Sequence, residues 1–344
     1  MGKINSVYGE SIGKNLGAFK IPLYIGWTLT YRCNQKKCLY CMVWKKKSLE
    51  LETRQIFKII GELALLGTKV ICFSGGEALV RDDIGKIVDF TRHKGINADL
   101  NSNGFLVEAK KSQLKGVRIL TLSLDGPEKI HDRLRGKGSY RRVLGALDAA
   151  RKNKTQVYFR AVLSKVNAGY IGALLDIARE HKVEVVFQPS MPKIYGLDAV
   201  NPVAPSGRVY QKMICELIAR KNSGEGQIFN SLPMLEYFRK WPRPPKICCA
   251  SGKIMFGIKP DGMLYPCTWG RDPAEMQGCD CLSLGVREAI RRLPEACCSG
   301  CGNASSLEFN YRLSLLLGGN RKFSLKQDGG RNKILVAPEL SCIG

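Results

Sequence analysis

From residue 23 to residue 190, short apolar and β-branched runs alternate with longer segments of helical spacing, and the runs are followed by turns rich in Gly or Ser. The runs are LYIGWTLT, KVICFSGGE, INADLNSNG, VRILTLSLDG, QVYFRAVLS and VEVVFQPS. Between them TRQIFKIIGELALLG, DDIGKIVDFTRHKG, VEAKKSQLKG, SYRRVLGALDAARKN and GYIGALLDIAREHK read as helices. Six strands, with a helix after each of the first five, predict an α/β fold: a parallel sheet with outer helices. Right-handed crossovers curl such units into a partial (β/α)6, open TIM-like barrel, with its active site at the strand C-termini. The loops expected there are YRCNQKKCLYC, FSGGEAL, NSNG, SLDGP and FQPS.

The alternation stops near residue 196. MPKIYGLDAVNPVAPSG and KWPRPPKICC are proline-rich punctuation around two helical pieces. KIMFGIKPDGMLYPC then reads as a hairpin turned at Pro260-Asp261-Gly262. The expected organisation is a core barrel over residues 1–195, its first twenty an extension, and a helical linker over 196–247. A small cysteine-rich domain of hairpin plus helix follows over 248–318, then a loosely ordered basic tail over 319–344.

No run of eighteen apolar residues exists, and the N-terminal MGKINSVYGESIGKNLG has no apolar secretory segment, so a cytoplasmic protein is expected. The formal charge of +24 is spread along the chain, with nine Lys/Arg between residues 131 and 160 against Asp132 and Asp148. This favours anionic partners, or else marks a solvated helix face. Fourteen cysteines suit a reducing compartment when many are metal ligands, and most are clustered. Cys72, Cys215 and Cys342 stand apart and read as ordinary thiols. The three histidines, His93, His131 and His181, lie on or beside predicted helices, away from the strand-end loops, and read as surface residues.

Cys33, Cys38 and Cys41 sit in the first of these loops with gaps of four and two residues. Three thiolates can hold three corners of a [4Fe-4S] cube and leave one iron open. A structural zinc ion would need a fourth ligand, and none lies within twenty residues. A redox pair of Cys38 and Cys41 would leave Cys33 unexplained.

The first strand with CNQKKCLYC, then SGGE, NSNG and SLDG after the next three strands, resembles the radical S-adenosylmethionine (SAM) superfamily over residues 20–195. The resemblance implies that Cys33, Cys38 and Cys41 ligate a [4Fe-4S] cluster whose open iron binds SAM. Reductive cleavage of SAM would then give a 5′-deoxyadenosyl radical that abstracts hydrogen from an unactivated carbon. Tyr40 would lie near the adenine, and Ser74, Gly75, Gly76 and Glu77 would receive the SAM amino group, the glycines allowing close backbone approach to the ligand. Ser102, Asn103, Ser123 and Asp125 would reach the ribose or carboxylate, with Arg133 or Arg135 pairing the carboxylate and Gln188 touching the adenosine. The family's usual spacing has three residues between the first two cysteines. Here Asn34, Gln35, Lys36 and Lys37 make four.

Further on, Cys249, Cys267, Cys298 and Cys301 resemble the ligands of a twitch or SPASM extension, implying one auxiliary [4Fe-4S] cluster that moves electrons. Zinc in a four-cysteine ribbon is the alternative, and Cys248 could replace Cys249 as Cys297 could replace Cys298. Cys279 and Cys281 read as bystanders. The expected substrate is a peptide or a carbohydrate- or nucleotide-type small molecule, the basic balance favouring an anionic one, and the expected electron donor is a flavodoxin or ferredoxin. The first twenty residues look too short for a separate leader-binding domain. A competing reading, a basic zinc protein binding nucleic acid, explains the charge but not the strand-end loops; on the radical SAM reading no stable nucleic-acid partner is expected.

Overall fold

The computed structural model describes residues 20–244, 249–267, 276–294 and 300–318, with strand segments at 325–328 and 331–334. Six parallel strands form the barrel wall: β1 (Tyr24–Thr30), β2 (Val70–Gly75), β3 (Asn97–Ser102), β4 (Val117–Ser123), β5 (Gln156–Leu163) and β6 (Glu184–Pro189). Each pairs with the next in chain order. Helices α1 (Thr53–Leu65), α2 (Ile84–His93), α3 (Glu128–Arg135), α4 (Ser139–Lys152) and α5 (Ile171–Glu180) connect them.

The strands alternate strictly by face. Ile25, Trp27 and Leu29, Ile71 and Phe73, Leu120 and Leu122, Phe159 and Ala161, and Val185 and Phe187 are buried in one apolar cluster with the helices. The intervening positions, among them Ser74, Asn101, Ser123, Arg160 and Gln188, line a cavity instead. Successive side chains of a strand point to opposite faces, so one polar face is carried round the sheet. The helices match it: α1 buries Ile56, Ile59, Ile60 and Leu63, a stripe at three- and four-residue spacing.

Two connections differ from the sequence reading. VEAKKSQLKG forms turns and a short 3-10 stretch, Lys111–Leu114: its buried anchors are Val107 and Leu114, and the positions between them that would complete a helical stripe are Lys110 and Lys111. Between β4 and β5 there are two helices, since Gly136 and Gly138 interrupt the pattern and start α4 anew.

Beyond β6, α6 (Gly207–Asn222) and α7 (Leu232–Phe238) contribute Tyr210, Met213, Tyr237 and Phe238 to the main core. The hairpin of β7 (Met255–Ile258) and β8 (Met263–Tyr265) is present, and β7 pairs in parallel with β1. With β9 (Cys279–Asp280) it extends the barrel's sheet into nine strands, ordered β6-β5-β4-β3-β2-β1-β7-β8-β9. Then come α8 (Cys281–Leu284), α9 (Val286–Arg292) and α10 (Ala304–Gly318). In the expected tail, β10 (Leu325–Asp328) and β11 (Arg331–Ile334) form an antiparallel pair. The N-terminal nineteen residues and the rest of that tail lie outside the described residues. Among the described residues no helix is long and apolar enough to cross a membrane.

Phe159 on the helix-facing side of β5 is fully buried. Replacing it with alanine should lower stability by about 3–5 kcal/mol in urea unfolding, the usual cost of emptying an aromatic core site. A loss below about 1 kcal/mol would mean that this face is loosely packed.

Candidate active site

The three cysteines of the first loop line one cavity at the C-terminal end of the barrel. Its wall also contains Tyr40, Ser74, Gly75, Gly76, Glu77, Ser102, Asn103, Ser123, Arg135 and Gln188. Of the barrel residues singled out in the sequence, Asp125 lies behind the wall, fully buried.

The four-residue gap is filled by residues that anchor the loop. Gln35 is buried, donates from Nε2 to the Arg135 carbonyl (3.1 Å), and its Oε1 meets Cys38 Sγ at 3.6 Å. Asn34 Oδ1 accepts from Asn103 Nδ2 at 2.9 Å, and the same amide approaches Cys33 Sγ at 3.8 Å. Lys36 and Lys37 bulge outward, with Lys36 over the Trp44 ring and Lys37 against Gly136. The loop is clamped on its far side by Leu39 N–H to Leu134 O (3.0 Å) and by Met42 N–H to Tyr195 O (2.7 Å).

Gly75 and Gly76 are required by packing within the chain, whatever ligand approaches them. A Cβ on Gly75, whose φ is +153°, would stand 2.2 Å from Thr30 O, and one on Gly76 would stand 2.4 Å from the carbonyls of Tyr31 and Arg32. The glycines let the end of β2 press on the backbone that opens the cysteine loop, and Gly76 N–H and Glu77 N–H donate to Thr30 O and Arg32 O. Glu77 is buried. Its carboxylate accepts from Asn103 N–H (2.7 Å), Ser102 Oγ (3.2 Å) and Leu79 N–H (3.2 Å), so it ties the second strand-end loop to the third.

Asp125 organises the other wall. One oxygen receives both Arg135 Nε and Tyr40 OH at 2.6 Å, the other accepts Val162 N–H at 2.9 Å, and the Arg135 guanidinium lies over the Tyr40 ring. Burial opposes ionisation of Asp125, but the Arg135 guanidinium and these hydrogen bonds outweigh it and hold the carboxyl below its usual range. His131 is not at the surface. It is fully buried, accepts from Asp125 N–H through Nδ1 (3.0 Å), and burial drives its pKa down to about 4, so it is a neutral prop. The i, i+4 spacing puts His131 and Arg135 on one face of α3, turned toward SLDG. Arg133 does not line the cavity.

Sequence reading missed Arg160, Ser190 and Asn201, which also line the cavity. The alternation within QVYFRAVLS could have found Arg160, since it pairs directly with Ser123 across β4 and β5. Arg160 Nε, Gln188 Oε1 and Ser190 Oγ are buried without a hydrogen-bond partner among the described residues, which leaves the cavity chemically unsatisfied and suited to a polar ligand. Burial raises the Cys33 and Cys38 thiols to about 11 and 12, so as ligands they need a metal's charge to ionise near neutrality. Among the described residues no three Cys, His, Asp or Glu converge on a single ion. Ligands of a cluster bind separate irons and do not need to converge, so the residues present fit an iron-sulfur group with SAM beside it.

In the second cysteine field, Cys249 Sγ accepts from Asn310 Nδ2 (3.3 Å) and Ser251 N–H, and Cys301 Sγ accepts from Asn303 N–H, both at 3.4 Å. Tyr237 OH accepts from Cys301 N–H at 2.8 Å. Cys267 follows β8. Cys298 and the alternatives Cys248 and Cys297 lie outside the described residues. Cys281 is sealed in the apolar core, while Cys279 pairs with Leu264 in the sheet.

Burial lifts the Glu77 carboxyl from 4.5 to about 7, against the pull of its N–H and hydroxyl donors. Between those values the folded chain holds a proton that the unfolded chain has released. Stability should therefore fall as pH rises through this window and level off above it, by up to about 3 kcal/mol for this group. In the metal-free protein Glu77→Gln should flatten that part of the profile; urea midpoints at pH 5 and pH 8 that shift equally in both proteins would contradict this.

Residues 27–178 match the Radical SAM superfamily. Fe-coproporphyrin III synthase of Methanosarcina barkeri is 34% identical over 46% of this chain and 41% of that protein, so the match spans about two fifths of that relative's length. PqqA peptide cyclase of Rhodopseudomonas palustris is 24% identical over 75% of this chain and 70% of that protein. Among solved structures, anSMEcpe with bound AdoMet and Kp18Cys peptide superposes with a TM-score of 0.64 at 18% identity, covering 79% of this chain and 81% of the other, a likeness of fold. Matched from the first barrel strand through its fifth helix, and carrying the cysteine loop and the three strand-end loops on one cavity, residues 27–178 form a domain of the Radical SAM superfamily, whose enzymes use a [4Fe-4S] cluster and SAM.

Proposed function

We propose that this protein is a radical SAM enzyme that modifies a peptide. The observation that carries the peptide reading is extent. Similarity to PqqA peptide cyclase runs over three quarters of the chain and so must pass beyond the barrel, whereas similarity to the coproporphyrin synthase covers less than half.

On this reading Cys33, Cys38 and Cys41 hold the cluster. Ser74, Gly75, Gly76 and Glu77 form the edge facing the SAM amino group, and Tyr40, Ser102, Asn103, Ser123, Arg135 and Gln188 form the remaining wall. A cluster and SAM bound there would supply one-electron cleavage of a C–S bond and hydrogen abstraction from an unactivated carbon. The chain's own work is to position and to exclude water. Glu77 fixes the Asn103 loop against the cysteine loop. Asp125 orients Arg135 and Tyr40, and its charge opposes that of Arg135 so that the guanidinium can stay buried beside the cavity. Cys249, Cys267, Cys298 and Cys301 hold one auxiliary [4Fe-4S] cluster that passes electrons between the substrate and a flavodoxin- or ferredoxin-type donor.

Anaerobic reconstitution with iron and sulfide, followed by SAM and dithionite, should yield 5′-deoxyadenosine, measured by liquid chromatography. The triple variant Cys33/Cys38/Cys41→Ala should lose that product and keep roughly four irons per chain, those of the auxiliary site. SAM cleavage retained by the triple variant would overturn the assignment of these ligands.

A further inference from the structure

Three charged side chains line the cavity: Glu77, Arg135 and Arg160. Glu77 is engaged by three donors, and Arg135 is paired with Asp125 at 2.6 Å. Arg160 differs from both. It forms no ion pair with a carboxylate among the described residues, and its guanidinium donates to the neutral Ser305 Oγ at 2.7 Å. Its Nε is buried and unpartnered among the described residues. Burial holds its pKa below the usual arginine range, with only the Cys72 thiol and the Tyr24 phenol acting in its favour.

An uncompensated guanidinium in a half-dry cavity is unfavourable until an anion arrives. Around it the wall is neutral and open to hydrogen bonding. Gln188 pairs with Val162, two residues along β5 on the same face as Arg160, and Gln188 Oε1 and Ser190 Oγ are both unsatisfied. A planar fork with neutral neighbours matches a singly charged planar anion better than a dianion. We infer that Arg160 binds a carboxylate of the substrate, with Gln188 and Ser190 holding the polar groups beside it. This rests on the proposed peptide-modifying function and narrows it to peptides that bring an acidic side chain or a free C-terminus into the cavity. Sharing the cavity with the cysteine loop, Arg160 would set which end of the substrate faces the cluster.

The test uses full-length, cluster-loaded, immobilised protein and three octapeptide libraries read by mass spectrometry: free C-terminus with all residues, C-terminally amidated with all residues, and amidated without Asp or Glu. Wild type should retain carboxylate-bearing peptides roughly tenfold over the carboxylate-free library, as expected for a charge-assisted hydrogen bond. The first two libraries separate a C-terminal from a side-chain carboxylate. Arg160→Gln should lose the preference, while Ser305→Ala, which removes only the tie to α10, should keep it. Calorimetric affinity for SAM should stay within about twofold in Arg160→Gln, since the proposed anion is the substrate's. An unchanged preference in Arg160→Gln overturns the inference, and so does a SAM affinity weakened about tenfold or more, which would give Arg160 to SAM's own carboxylate. Should Arg160→Gln fail to fold, Arg160→Met and Gln188→Glu, the latter placing a carboxylate on the same face, must each abolish the preference for the inference to survive. If wild type retains no peptide, the peptide reading fails, and titration with coproporphyrin III and its tetramethyl ester decides the rest. Acid-selective binding that Arg160→Gln loses sustains the carboxylate site, and equal binding by both proteins removes it.

Discussion

Everything in this structure depends on the strict alternation of faces in a sheet whose outer side is covered by helices. Ile25, Trp27, Phe73, Leu122, Phe159 and Phe187 fill the space between sheet and helices and are essentially closed to solvent. At roughly 1.5–3 kcal/mol for each large side chain removed from water, this layer carries the barrel's apolar burial. The inner face is therefore released from apolar packing. It can carry Ser74, Asn101, Ser123, Arg160 and Gln188, residues that would weaken a barrel relying on a closed apolar lumen.

Much of this was legible in the chain, and the limits have physical causes. Helical spacing located α1, α2, α4 and α5 because each buries a stripe on the sheet. It misread VEAKKSQLKG, where charged residues of high helix propensity lack the apolar stripe that would dock them. The strand-end loops showed which residues surround the cavity, since a parallel sheet brings all its strand C-termini to one edge. Roles were less legible than positions. The need for glycine at 75 and 76 comes from carbonyls of residues 30 to 32, more than forty positions away, and the burial of His131 comes from the turn of α3 toward Asp125. The first is not a local property of sequence, and the second depends on which face α3 turns inward. Arg160 could have been found from periodicity, but only by asking which face each strand residue occupies.

The cysteine loop shows how long-range contacts take the place of regular structure. Its backbone has little secondary structure, yet it is held at four points: Gln35 on Arg135, Asn34 on Asn103, Leu39 on Leu134 and Met42 on Tyr195. Each anchor comes from a different strand-end segment or from α3. An extra residue relative to the family's spacing is absorbed because Lys36 and Lys37 bulge outward between the anchors Gln35 and Leu39. A loop fixed at its ends tolerates a residue in its unanchored part, where a helix or strand would shift register.

Net charge turns out to be a poor guide to this site. Most of the chain's basic side chains are exposed, where screening leaves each with little influence beyond a Debye length. The two guanidiniums on the cavity wall are in a different regime, because the low dielectric around them makes every nearby charge count. Arg135 is answered by Asp125, fully buried, so that side of the cavity is near neutral before any ligand binds. Arg160 has no carboxylate partner among the described residues, and burial pushes the carboxyl of Glu77, on the same cavity wall, toward its neutral form, so the field in the lumen is set chiefly by Arg160. A ligand with one charged end then meets two unlike walls, and its orientation is decided by electrostatics before shape. The proposed chemistry requires one chosen carbon to face the reacting group, and a fixed field across a rigid barrel supplies that choice without any moving part.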